Sequence, residues 1–172
     1  MPTTVADVQR VVEALWPAAG AEGWDAVGLV AGSPDDEVRR ILLGEEGLAR
    51  HLKPGTAIMV SSTIAAEEAN ALAAELAQLG LPMLDAPVSG GAIKADAGEM
   101  TVMAAGSDAA FDKLAPVLDA VSGKLYRVGS EPGQGSTVKI IHQLLAGVHI
   151  AVAAEAMALA SRAGVSLDLM YD

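Results

Sequence analysis

The stretch that most constrains this chain runs from Thr56 to Leu84. Thr56–Val60 (TAIMV) is a short apolar run of strand type ending in Ser61-Ser-Thr63. Ala65–Leu79 has helical periodicity and stops at Gly80, and Pro82–Leu84 begins a second apolar run. Strand, crossover helix and strand in this order predict a parallel α/β unit, which needs helices packed on a buried sheet. The same alternation continues. Met100–Ala104 reads as a strand, Asp108–Val121 as a helix capped by Ser107, and Lys124–Val128 as a strand. Upstream, Thr4–Trp16 is predicted helical and Ala26–Ala31 (AVGLVA) a strand. Val38–Leu43 alone fits either, but its continuation RRILLGEEGLARHL favours a short helix ending near Lys53-Pro54-Gly55.

Composition supports a packed domain of this kind. Of 172 residues, 52% are hydrophobic and only 3% aromatic, so the core must be built from Ala, Val, Leu, Ile and Met. The net charge of −11 argues against a nucleic-acid or other polyanionic partner and fits a solvated acidic surface. With no cysteine, disulfides and thiolate metal sites are excluded, in keeping with a cytoplasmic protein. No secretory signal opens the sequence. Ser136–Ala163 is predicted to be one long helix, opened by Pro132-Gly-Gln-Gly135 and closed by Gly164. Its apolar stretch is Ala-rich and interrupted by His149 and Glu155, so it reads as a buried helix and not a membrane span. Small residues at Ala146, Gly147, Ala151, Ala154 and Ala158 would admit a close-packed second helix, from the same chain or a second copy.

Two segments carry candidate chemistry. Asp85-Ala-Pro-Val-Ser-Gly-Gly91 is a strand end breaking into a turn, with a free hydroxyl at Ser89 and two glycines that let backbone N–H groups face an anion. Asp85 on its own reads as a turn or cap residue. Gly133-Gln-Gly-Ser-Thr-Val-Lys139 leads into the long helix, where Lys139, His142 and Gln143 share a face. A lysine there, partly desolvated among Ile140, Ile141, Leu144 and Leu145 and near a helix N-terminus, suits general acid–base work. Gly133–Val138 is rejected as a dinucleotide fingerprint, because valine replaces the third glycine. His51, His142 and His149 form no metal-ligating grouping with carboxylates, so no metal is expected.

From about Leu42 onward the chain resembles the β-hydroxyacid dehydrogenase family. The resemblance is carried by LLGEEGLARHLKPGTAIMVSSTI, LDAPVSGGAIKADAGEMTVMAAG and GQGSTVKIIHQLLAGVHIAVAAEAMALASRAG. HQLLAGVHIAVAAEAMALA is most similar to the L-threonate dehydrogenase branch. The resemblance implies oxidation of a small 3-hydroxy acid, L-threonate or like 3-hydroxyisobutyrate, with NAD or NADP. It makes Lys139 the catalytic lysine, places Ser89, Gly90 and Gly91 in a substrate-carboxylate loop, puts His142 and Gln143 on the substrate, and puts Thr63 on the cofactor. Residues 4–40 resemble instead the opening of dinuclear-metal hydrolases of the GTP cyclohydrolase type 1-like family, whose metal-binding histidine motifs are not present.

The resulting expectation is an α/β chain with a Rossmann-like sheet whose N-terminal half is incomplete. It divides into an atypical segment over 1–41, the later half of an NAD-binding domain over 42–131, and over 132–172 a long interdomain helix with the start of a helical domain. Weak activity, or a non-catalytic chain that self-associates through the long helix, is expected from the missing glycine fingerprint.

Overall fold

The computed structural model describes residues 37–171 apart from Glu46. The helix expected over 4–16 and the strand over 26–31 lie outside these residues. Five strands are described: β1 Ile58–Val60, β2 Met83–Asp85, β3 Val88–Ser89, β4 Met100–Ala105 and β5 Ser122–Gly129. The helices are α1 Glu37–Leu43, α2 Ala66–Gln78, α3 Gly91–Asp96, α4 Asp108–Val121, α5 Gln134–Arg162 and α6 Leu167–Tyr171, with a 3-10 turn at Leu48–His51.

The predicted crossover unit is present. β1 and β2 run parallel, with Ile58 opposite Met83 and Val60 opposite Asp85, and α2 joins them. The second crossover, β4–α4–β5, is also parallel. Between the two units the chain turns over. β2 and β3 both lie antiparallel to β4, and Pro87 between them accepts the Met103 N–H at 2.9 Å, so they form one broken strand along β4. The antiparallel pairing here has a geometric reason. The link over residues 90–99 holds only α3 and a turn, shorter than the dozen or so residues that a parallel crossover requires.

Alternation along the strands sorts the core onto two faces. Ile58, Val60 and Met83 pack with Leu72 and Leu76 of α2, together with Leu42 of α1. Leu84, Val102 and Ala104 pack with Phe111, Leu114 and Leu118 of α4. α2 and α4 therefore cover opposite faces, giving a helix–sheet–helix layering with a Rossmann-like pattern. Leu72 and Leu76 are fully buried, and each contributes roughly 2 kcal/mol from the apolar area it removes from water. Arg39 of α1 pairs with Glu68 at 3.3 Å and with Glu75, fastening α1 to α2. The Ser107 hydroxyl caps α4, as its position suggests, accepting the Ala110 N–H at 3.3 Å.

One expectation about α5 is overturned. Ile140, Ile141, Leu144 and Leu145 are exposed, at 44% to 67% of their full area, and the helix buries only Gly135, Ser136, Lys139 and Ala160. Apolar residues fall on every side of the helix, so burial of a few residues at its head leaves the rest uncovered among the described residues. By length and composition alone its 29 residues, with a window of mean hydropathy 1.7, could cross a membrane. Its first turn is fixed to the sheet by polar contacts, and the next turn carries a buried lysine.

Candidate active site

β1 and β2 end side by side. The Ala86 N–H donates to Val60 O at 2.8 Å, so the segments after Val60 and after Asp85 start from the same end of the parallel pair. The first carries Ser61, Ser62 and Thr63; Thr63 is half-buried and the two serines are exposed. The second carries Ser89, half-buried and paired with Thr101 across β3 and β4. Gly90 and Gly91 follow with φ of 146° and 68°, conformations that side chains rarely adopt, and there the chain swings into α3. A Cβ on Gly90 would lie 2.8 Å from the Lys94 Cβ. On Gly91 it would meet nothing within 4 Å. Gly91 is thus demanded by backbone conformation alone, and the space beside it is open.

The head of α5 is docked at this same end. Its N-cap is Gly133, which has no side chain to cap with. The capping group comes from elsewhere. Asp85, fully buried, lies two residues beyond Met83 and so faces the α2 side of the sheet. Its Oδ2 accepts the N–H groups of Gly133 and Ser136, both at 2.8 Å, and its Oδ1 accepts the Ser136 hydroxyl at 2.7 Å. A Cβ on Gly135 would lie 2.5 Å from Asp85 O and 2.7 Å from Met103 O, so the helix backbone rests directly on β2 and β4.

One turn further, Lys139 is 6% exposed. Its Nζ donates to Gln143 Oε1 at 3.1 Å. Burial disfavours the ammonium form and holds the Lys139 pKa below the ordinary lysine value. The expected contribution of the helix N-terminus is superseded: Asp85 already occupies those N–H groups, and desolvation is the operative cause. The same occupancy closes the start of α5 to a phosphate, which removes Gly133–Val138 as a pyrophosphate turn. His142 is exposed, with no side-chain hydrogen bond among the described residues.

The strand that leads to Ser89 and the head of the helix that carries Lys139 are thus joined through one residue that reads in sequence as a mere turn or cap. Asp85 precedes Ser89 by four residues along the broken strand, and through Ser136 it holds the turn that presents Lys139. Its signal is present in sequence: an acidic residue closing an apolar strand, and a long helix starting at a glycine that cannot cap itself. A cleft of about 450 Å³ lies elsewhere, against the start of β2, between α2 and Ser130–Pro132; none of the candidate residues lines it.

The hydroxyls of Ser61–Thr63 follow β1 and the buried Lys139 lies on the helix docked at the end of β2. The family model for the NAD-binding domain of 6-phosphogluconate dehydrogenase matches residues 4–129, and that for the NAD-binding region of NADP-dependent 3-hydroxyisobutyrate dehydrogenase matches 133–172. The L-threonate dehydrogenase of Escherichia coli O6:H1 is 72% identical over 136 residues, 79% of this chain and 45% of that protein. The L-threonate dehydrogenase of Pectobacterium atrosepticum is 63% identical over 90% of this chain and 50% of its own length. A crystal structure of 3-hydroxyisobutyrate dehydrogenase from Salmonella typhimurium aligns with a TM-score of 0.72 at 66% identity, over 78% of this chain and 47% of that one. This chain thus spans about half the length of the relatives it matches. The NAD-binding match begins at residue 4, so the hydrolase resemblance of 4–40, and with it a junction of two families, finds no support.

Proposed function

The chain belongs to the β-hydroxyacid dehydrogenase family, and from that premise we propose that it supplies the NAD(P)-binding edge and the catalytic lysine for oxidation of a small 3-hydroxy acid of L-threonate type. The observation that carries this reading is Lys139: a buried amine with a lowered pKa on a helix head that is fixed to the strand leading to Ser89. A nicotinamide bound along this edge would supply the acceptor for the hydride that leaves the carbinol carbon. Lys139, in its neutral form, accepts the hydroxyl proton, so the alcohol becomes a ketone and the amine an ammonium. Gln143 holds the amine through its Oε1. Ser89 and the N–H groups at Gly90 and Gly91 bind the substrate carboxylate in the open space beside Gly91. His142 and Gln143 meet the distal hydroxyls, and Thr63 contacts the cofactor.

Turnover by this chain is weak. The sequence holds no Gly-x-Gly-x-x-Gly turn to seat a pyrophosphate, so the cofactor is held poorly. Calorimetric titration with NAD and NADP, followed by reduced-cofactor absorbance with L-threonate and 3-hydroxyisobutyrate, tests both parts. Binding with slow L-threonate-dependent reduction is the expected result. No binding of either cofactor overturns the function, and a kcat near the enzyme median of about 10 s⁻¹ overturns the weakness. A soluble, cytoplasmic setting fits a cysteine-free chain working on NAD(P) and a small acid.

The exposed side chains of Ile141, Leu144, Leu145, Ile150 and Val152 favour a second property, self-association of the chain through α5. Sedimentation equilibrium is expected to give a dimer or larger species, and a monomer at all concentrations contradicts it.

A further inference from the structure

We propose that Asp85 is a positioning residue for Lys139: its carboxylate sets the rotation and depth of α5 on the sheet, and so decides that the amine, not an isoleucine, faces inward. This deepens the dehydrogenase reading and rests on it for its functional meaning. The hydrophobic effect cannot set that rotation. Apolar residues flank Lys139 on the helix, and turning α5 by one residue, about 100°, would bring Ile140 inward in place of Lys139. Ile140 is 44% exposed and Lys139 6% exposed, so apolar burial alone favours the opposite arrangement. A directional force must hold the observed one.

Asp85 provides it. One carboxylate takes three donors, all from the first turn of α5 and its cap. Ser136 is bound twice, through its N–H to one oxygen and its hydroxyl to the other, which fixes the helix about its axis as well as along it. Without this acceptor the N–H groups of Gly133 and Ser136 would be unsatisfied in a buried place, since no intrahelical carbonyl serves them. The close seat of Gly135 against Asp85 O and Met103 O sets the depth.

The test is competitive trace acetylation of the amines at neutral pH, read by mass spectrometry as Lys139 modification relative to exposed Lys94 in the same molecule. Asp85→Ala, shown folded by circular dichroism, is expected to raise the ratio by about tenfold, equivalent to ~1.4 kcal/mol of local protection. Asp85→Asn keeps an oxygen for the N–H groups and is expected to raise it less. Leu118→Ala destabilises the far core without touching α5 and is expected to leave the ratio unchanged. The proposal is overturned if Lys139 stays as protected in folded Asp85→Ala as in the parent, or if Leu118→Ala exposes it equally. Should Asp85→Ala not fold, Asp85→Asn and Ser136→Ala decide, and an unchanged ratio in both is a refutation. The labelling needs neither cofactor nor substrate, so it tests the role of Asp85 even in a chain that oxidises no hydroxy acid.

Discussion

Lys139→Met reduces L-threonate-dependent cofactor reduction by about 10²–10⁴-fold, the usual worth of a positioned acid–base group. The methionine keeps the apolar stem in place and deletes only the amine, so cofactor binding and helical content are expected to stay at parent levels. Lys139→Arg does not restore turnover, because a guanidinium does not give up its proton at any pH the protein survives. Stability should respond in the other direction. The folded-state pKa of Lys139 lies below its unfolded value, so between the two the unfolded chain binds more protons. Parent stability therefore rises with pH as that window is crossed toward about 10.4, the ordinary lysine value. Lys139→Met loses this dependence and is at least as stable as the parent at neutral pH. Steady-state assays and urea unfolding across that pH range read both effects. A Lys139→Met chain that retains half of parental turnover removes the lysine from the chemistry.

Gly135→Ala is expected to cost about 3 kcal/mol, at the upper end for overpacking. Two of the atoms its methyl would strike are backbone carbonyl oxygens, Asp85 O at 2.5 Å and Met103 O at 2.7 Å. Neither can rotate away as a side chain could. To accommodate the methyl, α5 has to lift from β2 and β4, which lengthens the Asp85 hydrogen bonds and lets water reach Lys139. Gly147→Ala, in the same helix, is the control: a Cβ there meets nothing within 4 Å. The general helix preference for alanine then applies, and stability rises by up to about 1 kcal/mol. Urea midpoints for the two variants should therefore move in opposite directions. Equal midpoints would show that α5 is not seated on the sheet in the way described.

Much of this architecture is legible from local pattern, and the exceptions share a cause. The Thr56–Leu84 unit, the Ser107 cap and the extent of α4 depend on periodicity and terminal residues, which neighbours in sequence determine. The break at Pro87, the reversal through the short α3 after Gly90, and the antiparallel seat of β4 depend on which strand β4 meets, a long-range choice that alternation does not encode. The exposure of Ile140 and Leu144 runs against their pattern because an apolar sequence reports only that a helix seeks cover, not that cover is supplied. At the site, family resemblance singles out Ser89, Gly90, Gly91, His142, Gln143, Thr63 and Lys139. What joins two of its elements is Asp85, whose partners lie 48 and 51 residues away and cannot be read from its neighbours.

Titration of the Lys139 side chain by NMR, followed at its Cε in chain labelled with ¹³C-lysine, tests the central claim most directly. A midpoint below the ordinary value of about 10.4, with the exposed lysines titrating normally in the same spectra, is the predicted result. A Lys139 midpoint at or above that value, with the signal as mobile as that of Lys94, would contradict a buried amine held at the head of the helix.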